Sequence, residues 1–362
     1  MDRRSIMASG GITAALAAAN VATAQTPQVR WRMATAWPRS LETIYGSAEA
    51  LCRRVSQLTE GRFEIRAFPG GELMPALQTF DAVQNGSVEC GHVLTANFIG
   101  KSPAVAFDGG LPFGLNARQQ VAWLNEGGGM DLLRTFFRKF NIVQHPCGNV
   151  GVQMGGFFRR EINSVADLNG LKIRIGGLGG RILSKFGAVP QQLAASDIYS
   201  ALERGTIDAA EWVGPADDEK LGFHRIARFY YFPGWWEGSA QITALCSLPA
   251  WEALPENFKV AFNVACNEQT MLMLSRYDVA NPPALRRMVA QGVQLRPFPR
   301  AVMEAAYRAS FETFEEIVTE NEDFKTLYTP WRNFLETSNS WMRVAEFNLD
   351  AFRFSNALPP AR

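Results

Sequence analysis

The sequence has little of what an enzyme active site usually needs. It contains only three histidines, His92, His145 and His224, and their positions do not match a metal-ligand spacing. It also lacks the G-x-S-x-G motif of a nucleophile elbow. No histidine or cysteine is therefore marked as catalytic, and a hydrolase is the least favoured interpretation.

An excess of charge of one sign is also missing. The chain has 36 lysines and arginines against 35 aspartates and glutamates, a net charge of +1. Such a balance gives no electrostatic attraction to nucleic acid or to anionic lipid, so we expect no nucleic-acid partner. Beyond the first residues there is no apolar run long enough to cross a membrane. With 47% apolar residues in 362, the chain is long enough for two lobes.

Cysteine is scarce, and its spacing assigns no pairs. The five cysteines lie far apart, at positions 52, 90, 147, 246 and 266. At most two disulfides can form, at least one thiol stays free, and the sequence does not determine the pairing. Cys147 has no CxxC partner, which favours a buried small apolar residue.

Residues 1–24 have the features of an export signal. Arg3 and Arg4 form a basic segment, and residues 6–21 are apolar and small but too short to span a bilayer. The small-x-small pattern at residues 22–24 is typical of a cleavage site. The paired arginines followed by Ser5 also fit a twin-arginine signal. We therefore expect a periplasmic protein, exported by either route.

The first third of the mature chain alternates strands with helices. Alternating apolar residues predict strands that begin at Val29, Arg62 and Val88. Amphipathic stretches predict helices over residues 41–59 and 77–85 between them. This β-α-β-α-β order is typical of a doubly wound parallel sheet in an α/β protein.

The stretch from residue 150 to 241 holds the strongest polar signal. Apolar residues alternate with Lys172 and Arg174, which predicts a strand over residues 171–175. A helix capped by Ser196 and a second strand over residues 206–213 bring Glu211 to the same region. An arginine and a carboxylate at neighbouring strand ends suit a small polar ligand. The alternative is a solvated arginine with Glu211 as its surface partner.

The remainder of the chain continues the alternation and ends in helices. We expect strands over residues 229–236, 240–247 and 293–297. We expect helices over residues 303–321 and from residue 256 to either 273 or 279. After Phe324 a helical stretch is rich in aromatic residues that need burial. They pack either on the same protomer or on a second copy.

Several segments together resemble the DctP-type substrate-binding subunits of TRAP transporters. They include a Trp-Pro break at 37–38, TEGRFEIRAFPGGEL, AVQNGSVECGHV, ANFIGK, PFGLNARQQVAWL, LKIRIGG and LERGTIDAAEW. The resemblance covers nearly the whole mature chain. It implies a two-lobe periplasmic-binding-protein fold with a ligand cleft between the lobes. Its expected parts are lobe I (25–149 and 238–290), lobe II (150–237 and 291–324) and a C-terminal helical arm (325–362).

The resemblance also assigns roles to individual residues. It implies that Arg174 clamps the ligand carboxylate and that Gln153 contacts the ligand or its cation, although Gln153 could instead satisfy neighbouring backbone. Thr95 and Asn97, which also suit a turn or helix cap, and Gln241 are expected as further substrate contacts. Glu211, Trp212 through its carbonyl, Glu237 and Gln153 are expected to hold a metal ion.

The implied function is capture of a 2-oxo monocarboxylate such as pyruvate for delivery to TRAP membrane permease subunits. A 2-oxo acid presents a carboxylate oxygen and a keto oxygen that together chelate a hard cation, Na⁺ or alternatively Ca²⁺. Another carboxylate as ligand, or a sensory role, stays open. Relatives that exchange C-terminal helices also imply a homodimer.

Overall fold

Two β-sheets with helices around them form the protein, which a computed structural model describes over residues 28–356. The strands are β1 (Val29–Thr35), β2 (Phe63–Phe68), β3 (Cys90–Leu94), β4 (Ile142–Asn149), β5 (Gly156–Phe158), β6 (Lys172–Arg174), β7 (Val189–Gln191), β8 (Ala209–Ala210), β9 (Phe229–Phe232), β10 (Gln241–Ser247) and β11 (Gln294–Pro297). The α-helices are α1 (Ile44–Leu58), α2 (Thr79–Gln84), α3 (Ala106–Gly109), α4 (Ala117–Asn125), α5 (Gly129–Arg138), α6 (Gly177–Ser184), α7 (Ala195–Glu203), α8 (Pro215–Leu221), α9 (Leu248–Glu252), α10 (Glu256–Ala290), α11 (Arg300–Glu320), α12 (Glu322–Met342) and α13 (Asn348–Ser355).

The first sheet has the strand order β2-β1-β3-β10-β4. Strand β1 pairs in parallel with β2 and β3, which confirms the predicted β-α-β-α-β unit. Strand β10 arrives from the later part of the chain and lies antiparallel to both β3 and β4. Because parallel strands end at one edge, the segments after β1 and β3 open towards the same side.

The second sheet has the order β11-β9-β5-β8-β6-β7. Arg174, the last residue of β6, pairs with Gln191 of β7 and Ala210 of β8. The predicted strand over residues 206–213 was too long, because only Ala209 and Ala210 pair as β8. The next residues leave the ladder towards the first sheet, and the Val213 carbonyl accepts from the Met154 N–H.

Two crossing segments, residues 150–155 and 233–240, connect the two sheets and run side by side. The Gly234 N–H donates to the Gln153 carbonyl at 2.8 Å, and the Val150 N–H donates to the Ala240 carbonyl at 3.1 Å. The two-lobe α/β fold is therefore confirmed, with the crossing segments at its centre. The residue limits given above for each lobe stay predictions.

Two helices differ from their prediction. Helix α7 begins at Ala195, because Ala194 has the extended cap backbone, so Ser196 lies in the first turn and caps nothing. Helix α10 continues to Ala290, although Pro282 and Pro283 lie inside it. Proline removes a helical hydrogen bond, and burial of Ala284 and Met288 beyond the prolines holds this helix together.

The C-terminal helices are partly buried and partly exposed. Helix α12 buries Phe324, Tyr328 and Trp331 on its own protomer. Farther along, Trp341 is 59% exposed and Phe347 is 65% exposed. The aromatic arm therefore packs on the same chain at its start and presents apolar side chains to solvent at its end.

Other features concern the cysteines and the chain ends. All five cysteines lie in the described range, where they are free, buried thiols of one core cluster beneath the first sheet. In residues 28–356 no helix has the length and apolar character that a membrane span requires. The predicted export signal at residues 1–24 and residues 357–362 of the arm lie outside the described residues.

Candidate functional site

A small cavity lies between the two sheets, beside the crossing segments. Both lobes and the crossing segments contribute to its wall. Its lining residues are Trp37, Ile44, Leu94, Asn97, Val150, Gln153, Arg174, Gly176, Glu211, Trp212, Val213, Glu237 and Ile242. Six predicted site residues, Asn97, Gln153, Arg174, Glu211, Trp212 and Glu237, thus share one cavity.

Arg174 is buried at the end of β6, with 4% of its surface exposed. Its Nη1 forms an ion pair with the Glu211 carboxylate and donates to the Glu211 carbonyl at 2.6 Å, while Nε donates to the Leu193 carbonyl at 3.3 Å. Its guanidinium carbon lies 4.9 Å from the centre of the Trp212 ring. These contacts involve only Nε and Nη1. Nη2 has no hydrogen-bond partner among residues 28–356 and is available to a ligand.

Two buried carboxyl groups, Glu211 and Glu237, face this single arginine. Burial raises the pKa of Glu211, while Arg174 and the Gly176 N–H oppose that rise. Burial, reinforced by the nearby Glu211, raises the pKa of Glu237 well above its ordinary value, and Arg174 only partly offsets this. If both carboxyl groups were ionised beside one guanidinium, the site would carry an excess of negative charge, and a bound cation would stabilise that ionised form.

Gln153 places an amide oxygen in the same cavity. Its backbone is held by the other crossing segment, since its N–H donates to the Glu237 carbonyl at 3.3 Å. Its side-chain Oε1 is buried and has no hydrogen-bond partner among residues 28–356. Because a buried, unpaired oxygen is costly, this atom is suited to a ligand or a cation.

Asn97 closes the cavity from the first lobe. Its backbone carbonyl accepts from Gln192 Nε2 of the second lobe at 2.6 Å. Its side-chain Oδ1 lies against Gly176, where a Cβ atom would come within 2.5 Å of that oxygen. Glycine at position 176 therefore permits the close approach of the two lobes.

Two predicted contacts do not line the cavity. Thr95 is fully buried behind it and donates from Oγ1 to Asp108 Oδ2 at 2.9 Å. Gln241 donates from Nε2 to the carbonyls of Gly148 and Ile242, and it borders a separate cavity next to α4 and α10. Both side chains satisfy groups within the first lobe.

The apolar part of the wall was missed. It consists of Trp37, Ile44, Leu94, Val150, Val213 and Ile242. Trp37 and Leu94 follow or end the first and third strands, so the rule that ligands bind at the carboxyl ends of parallel strands would have found them. Ile242 could not be found this way, because the antiparallel pairing of β10 with β3 depends on contacts between distant segments.

Comparison with known proteins identifies relatives over most of the chain. Residues 33–321 match the family model DctP, described as bacterial extracellular solute-binding protein, family 7. A monocarboxylate 2-oxoacid-binding periplasmic protein of Nostoc sp. is 46% identical over 98% of this chain and all of its own length.

Two solved structures show the same fold at substantial identity. A TRAP transporter solute-binding protein of Bordetella bronchiseptica is 59% identical with a TM-score of 0.90, over 91% of this chain and 98% of that one. It is described as a mixed-occupancy dimer with copurified calcium and picolinate in one active site and an apo site. A protein of Pseudoalteromonas atlantica with bound sodium and pyruvate is 34% identical with a TM-score of 0.87, over 91% and 99%.

Proposed function

Because the chain belongs to the DctP family of TRAP solute-binding proteins, we propose that it captures 2-oxo monocarboxylates such as pyruvate in the periplasm and delivers them to the membrane permease. The observation that carries this proposal is the cavity in which Arg174 lies beside two buried glutamates and an unpaired glutamine oxygen. Relatives that hold a 2-oxo acid or pyruvate support the same ligand class. The relatives are transport proteins, and this proposal includes no catalytic step.

Arg174 is the proposed partner of the ligand carboxylate. Among the residues that line the cavity it is the only one with a cationic side chain. Charge-assisted hydrogen bonds from a guanidinium to a carboxylate are strong, and burial of the site strengthens them further. A second ligand carboxylate would find no further cationic side chain among these lining residues, so the cavity favours monocarboxylates over dicarboxylates.

A hard cation fits the remaining polar atoms. Gln153 Oε1, the carboxylates of Glu211 and Glu237, and the Trp212 carbonyl supply oxygen donors of the kind that Na⁺ and Ca²⁺ prefer. The unpaired Gln153 oxygen and the two adjacent carboxylates are the observations that support this fit. When bound, the cation would supply positive charge beside the two glutamates and a Lewis acid for the keto and carboxylate oxygens of the ligand.

Charge does not by itself select the ion. Two ionised glutamates and the ligand give three negative charges against the one positive charge of Arg174. Ca²⁺ would balance the site, whereas Na⁺ would leave one negative charge, partly offset by backbone N–H dipoles. The Bordetella relative contains calcium and the Pseudoalteromonas relative contains sodium, so we propose Na⁺ with Ca²⁺ as the alternative.

The substrate contacts beyond Arg174 and Gln153 come from the first lobe. We propose a ligand contact for Asn97, which lines the cavity. Thr95 and Gln241 bond within the first lobe instead, and we propose that they support the wall without touching the ligand.

Assembly is a separate proposal. The apolar side chains that stay exposed after Trp341 form the surface that a second copy would cover. The Bordetella relative is described as a dimer, which supports a homodimer, and we propose that the C-terminal helices form its contact.

Calorimetry tests the proposed function. Pyruvate and propionate are titrated into the purified protein in Na⁺ buffer, in Ca²⁺ buffer and in buffer freed of both ions. We expect pyruvate to bind tightly only with a cation, and propionate to bind weakly everywhere because it lacks the keto oxygen. Pyruvate affinity that is indifferent to both cations would reject the metal-bridged site and leave a plain carboxylate-binding protein.

A further inference from the structure

We propose that His92 is a positioning residue for this site, because it fixes the indole ring of Trp37 in the cavity wall. The inference rests on the proposed function, since it concerns the same cavity. The Trp37 Nε1–H donates to His92 Nδ1 at 2.9 Å, and both side chains are buried. Trp37 lines the cavity and His92 does not. The indole N–H therefore points away from the ligand, and the ring presents carbon atoms to it.

The other ring nitrogen of His92 also has a hydrogen-bond partner. His92 Nε2 lies 3.4 Å from the Cys147 carbonyl oxygen. An indole nitrogen can only donate, so Nδ1 is the acceptor and Nε2 carries the proton that is donated to Cys147. The backbone fixes the same region, because the Ala36 N–H donates to the His92 carbonyl at 3.2 Å. His92 therefore has the tautomer with its proton on Nε2, which leaves Nδ1 as the acceptor for Trp37.

The orientation of Trp37 matters because the ring meets the other lobe. Its centre lies 6.2 Å from that of Trp212, and the two rings are nearly perpendicular. Trp212 in turn lies against the Arg174 guanidinium. Without the His92 acceptor, the Trp37 indole N–H would turn towards water when the cleft is open. When the cleft is closed, the same N–H would stay buried without a hydrogen-bond partner. The missing acceptor would therefore weaken the closed, ligand-bound form.

Two amide substitutions separate the two hydrogen bonds of His92. His92→Asn keeps an oxygen near the Nδ1 position and an acceptor for Trp37. His92→Gln reaches the Nε2 position, where it keeps a donor for Cys147 but offers no acceptor to Trp37. In calorimetry with Ca²⁺, we expect the pyruvate Kd of His92→Gln to rise roughly 5- to 100-fold, the effect of a buried donor left unpaired. His92→Asn should stay close to wild type.

Two further measurements distinguish this positioning role from a general loss of stability in the His92 variants. In the Trp37→Phe background, which has no indole N–H, His92→Gln should have no additional effect on affinity. In ¹H–¹⁵N spectra of the ligand-free protein, the Trp37 indole resonance should shift in His92→Gln and keep its position in His92→Asn. If His92→Gln does not fold, the resonance and the affinity of His92→Asn decide, since a shifted resonance with wild-type affinity, or an unshifted resonance with reduced affinity, would reject the inference.

The possible results are distinguishable. Equal affinities of the Asn and Gln variants, or an undiminished effect in the Trp37→Phe background, would overturn the role of His92. Failure of the wild-type protein to bind pyruvate would instead overturn the proposed function. The Trp37 resonance would still test the contact with His92 in that case.

Discussion

At the scale of single residues, the site depends on charges that are kept out of water. Arg174 and Glu211 are each about 5% exposed at the side chain, and Glu237 is 6% exposed overall. Burying a charge is costly unless it is paired, and removal of one partner leaves the other uncompensated. Each charged residue of the cavity should therefore affect binding far more than an exposed ion pair would.

Removal of Arg174 gives the sharpest single-residue prediction. Arg174→Ala should weaken pyruvate binding by roughly 30-fold to several-thousand-fold, which corresponds to about 2–5 kcal/mol for the loss of a buried charge partner. Arg174→Lys should recover only part of the affinity, because an ammonium cannot replace the guanidinium contacts to Glu211 and the ligand together. Isothermal calorimetry measures both variants. Pyruvate binding by Arg174→Ala at wild-type strength would contradict the carboxylate clamp.

Asp218 should make stability depend on pH. Its carboxyl accepts from the Tyr230 hydroxyl at 2.6 Å and from the Val213 N–H at 3.3 Å. Burial raises its pKa from 3.8 to about 8. The folded protein therefore keeps a proton that the unfolded chain releases near pH 4. The stabilisation is complete below that pH and is lost as the pH rises through about 8.

We expect the Tm of ligand-free Asp218→Asn to fall less between pH 6 and pH 9 than the Tm of the ligand-free wild-type protein. An amide keeps a polar group at Val213 and Tyr230 but does not titrate. Asp350→Asn, which changes an exposed carboxyl on the C-terminal arm, is the matched control and should leave the slope unchanged. Equal slopes for wild type and Asp218→Asn would show that Asp218 is not the titrating group.

Much of the polar site was predictable from residue patterns together with the family resemblance, and its apolar part was not. The family resemblance placed Arg174, Glu211 and Glu237 together, and the cavity does contain them. The wall residues Ile44 and Val150 carry no chemical signal of their own, since most such residues lie in a core. What distinguishes Ile44 and Val150 from core residues is that the two lobes meet around them to form the cavity.

At the scale of elements, the long helix α10 connects parts that are distant in the sequence. Helix α10 packs against β4 and α1 in the first half of the chain and against α8 in the second. On α10, the Tyr277 hydroxyl donates to Asp217 at 2.7 Å, and Asn281 accepts from the Ala216 N–H at 3.0 Å. These contacts hold α10 up to its prolines and the burial of Ala284 and Met288 holds it beyond them, which local propensity could not predict.

Two truncations of the C-terminal arm should separate its part in folding from its part in assembly. Deletion of residues 343–362 removes the exposed apolar side chains and leaves the buried part of α12, so we expect a folded monomer. Deletion after Phe324 would instead remove Tyr328 and Trp331 from the core and unfold the protein. Light scattering measures the masses.

A matched pair of arm variants tests which property matters. Phe347→Glu with Phe354→Glu should give a monomer, because charge replaces apolar surface on the arm. Arg353→Ala, which changes a charge on the same arm and keeps its apolar residues, should stay dimeric. A wild-type mass of one chain would reject the dimer altogether.

At the scale of the whole molecule, the two lobes meet around the cavity as a closed cleft. Trp37 contacts Trp212, and the Asn97 carbonyl accepts from Gln192 across it. The β-α-β-α-β succession that opens the first lobe was predictable from alternating hydrophobicity. The insertion of β10 between β3 and β4 was not, because its pairing depends on the crossing segments and on no local signal.

We expect this cleft to open without ligand and to close when ligand binds, by a hinge in the crossing segments near residues 148–156 and Gly238. Small-angle X-ray scattering should show a smaller radius of gyration with saturating pyruvate and Ca²⁺ than without ligand. Arg174→Ala at the same pyruvate concentration is the control and should stay open. An unchanged radius in the wild-type protein at saturation would contradict closure.

The most direct measurement of the central claim is a crystal structure of the complex grown with pyruvate and Ca²⁺, with the ion identified by its anomalous signal. We predict one ion bonded to Gln153 Oε1, to the carboxylates of Glu211 and Glu237 and to the Trp212 carbonyl, with the pyruvate carboxylate on Arg174. Pyruvate bound in the cavity without an ion, or an ion away from these oxygens, would contradict the account.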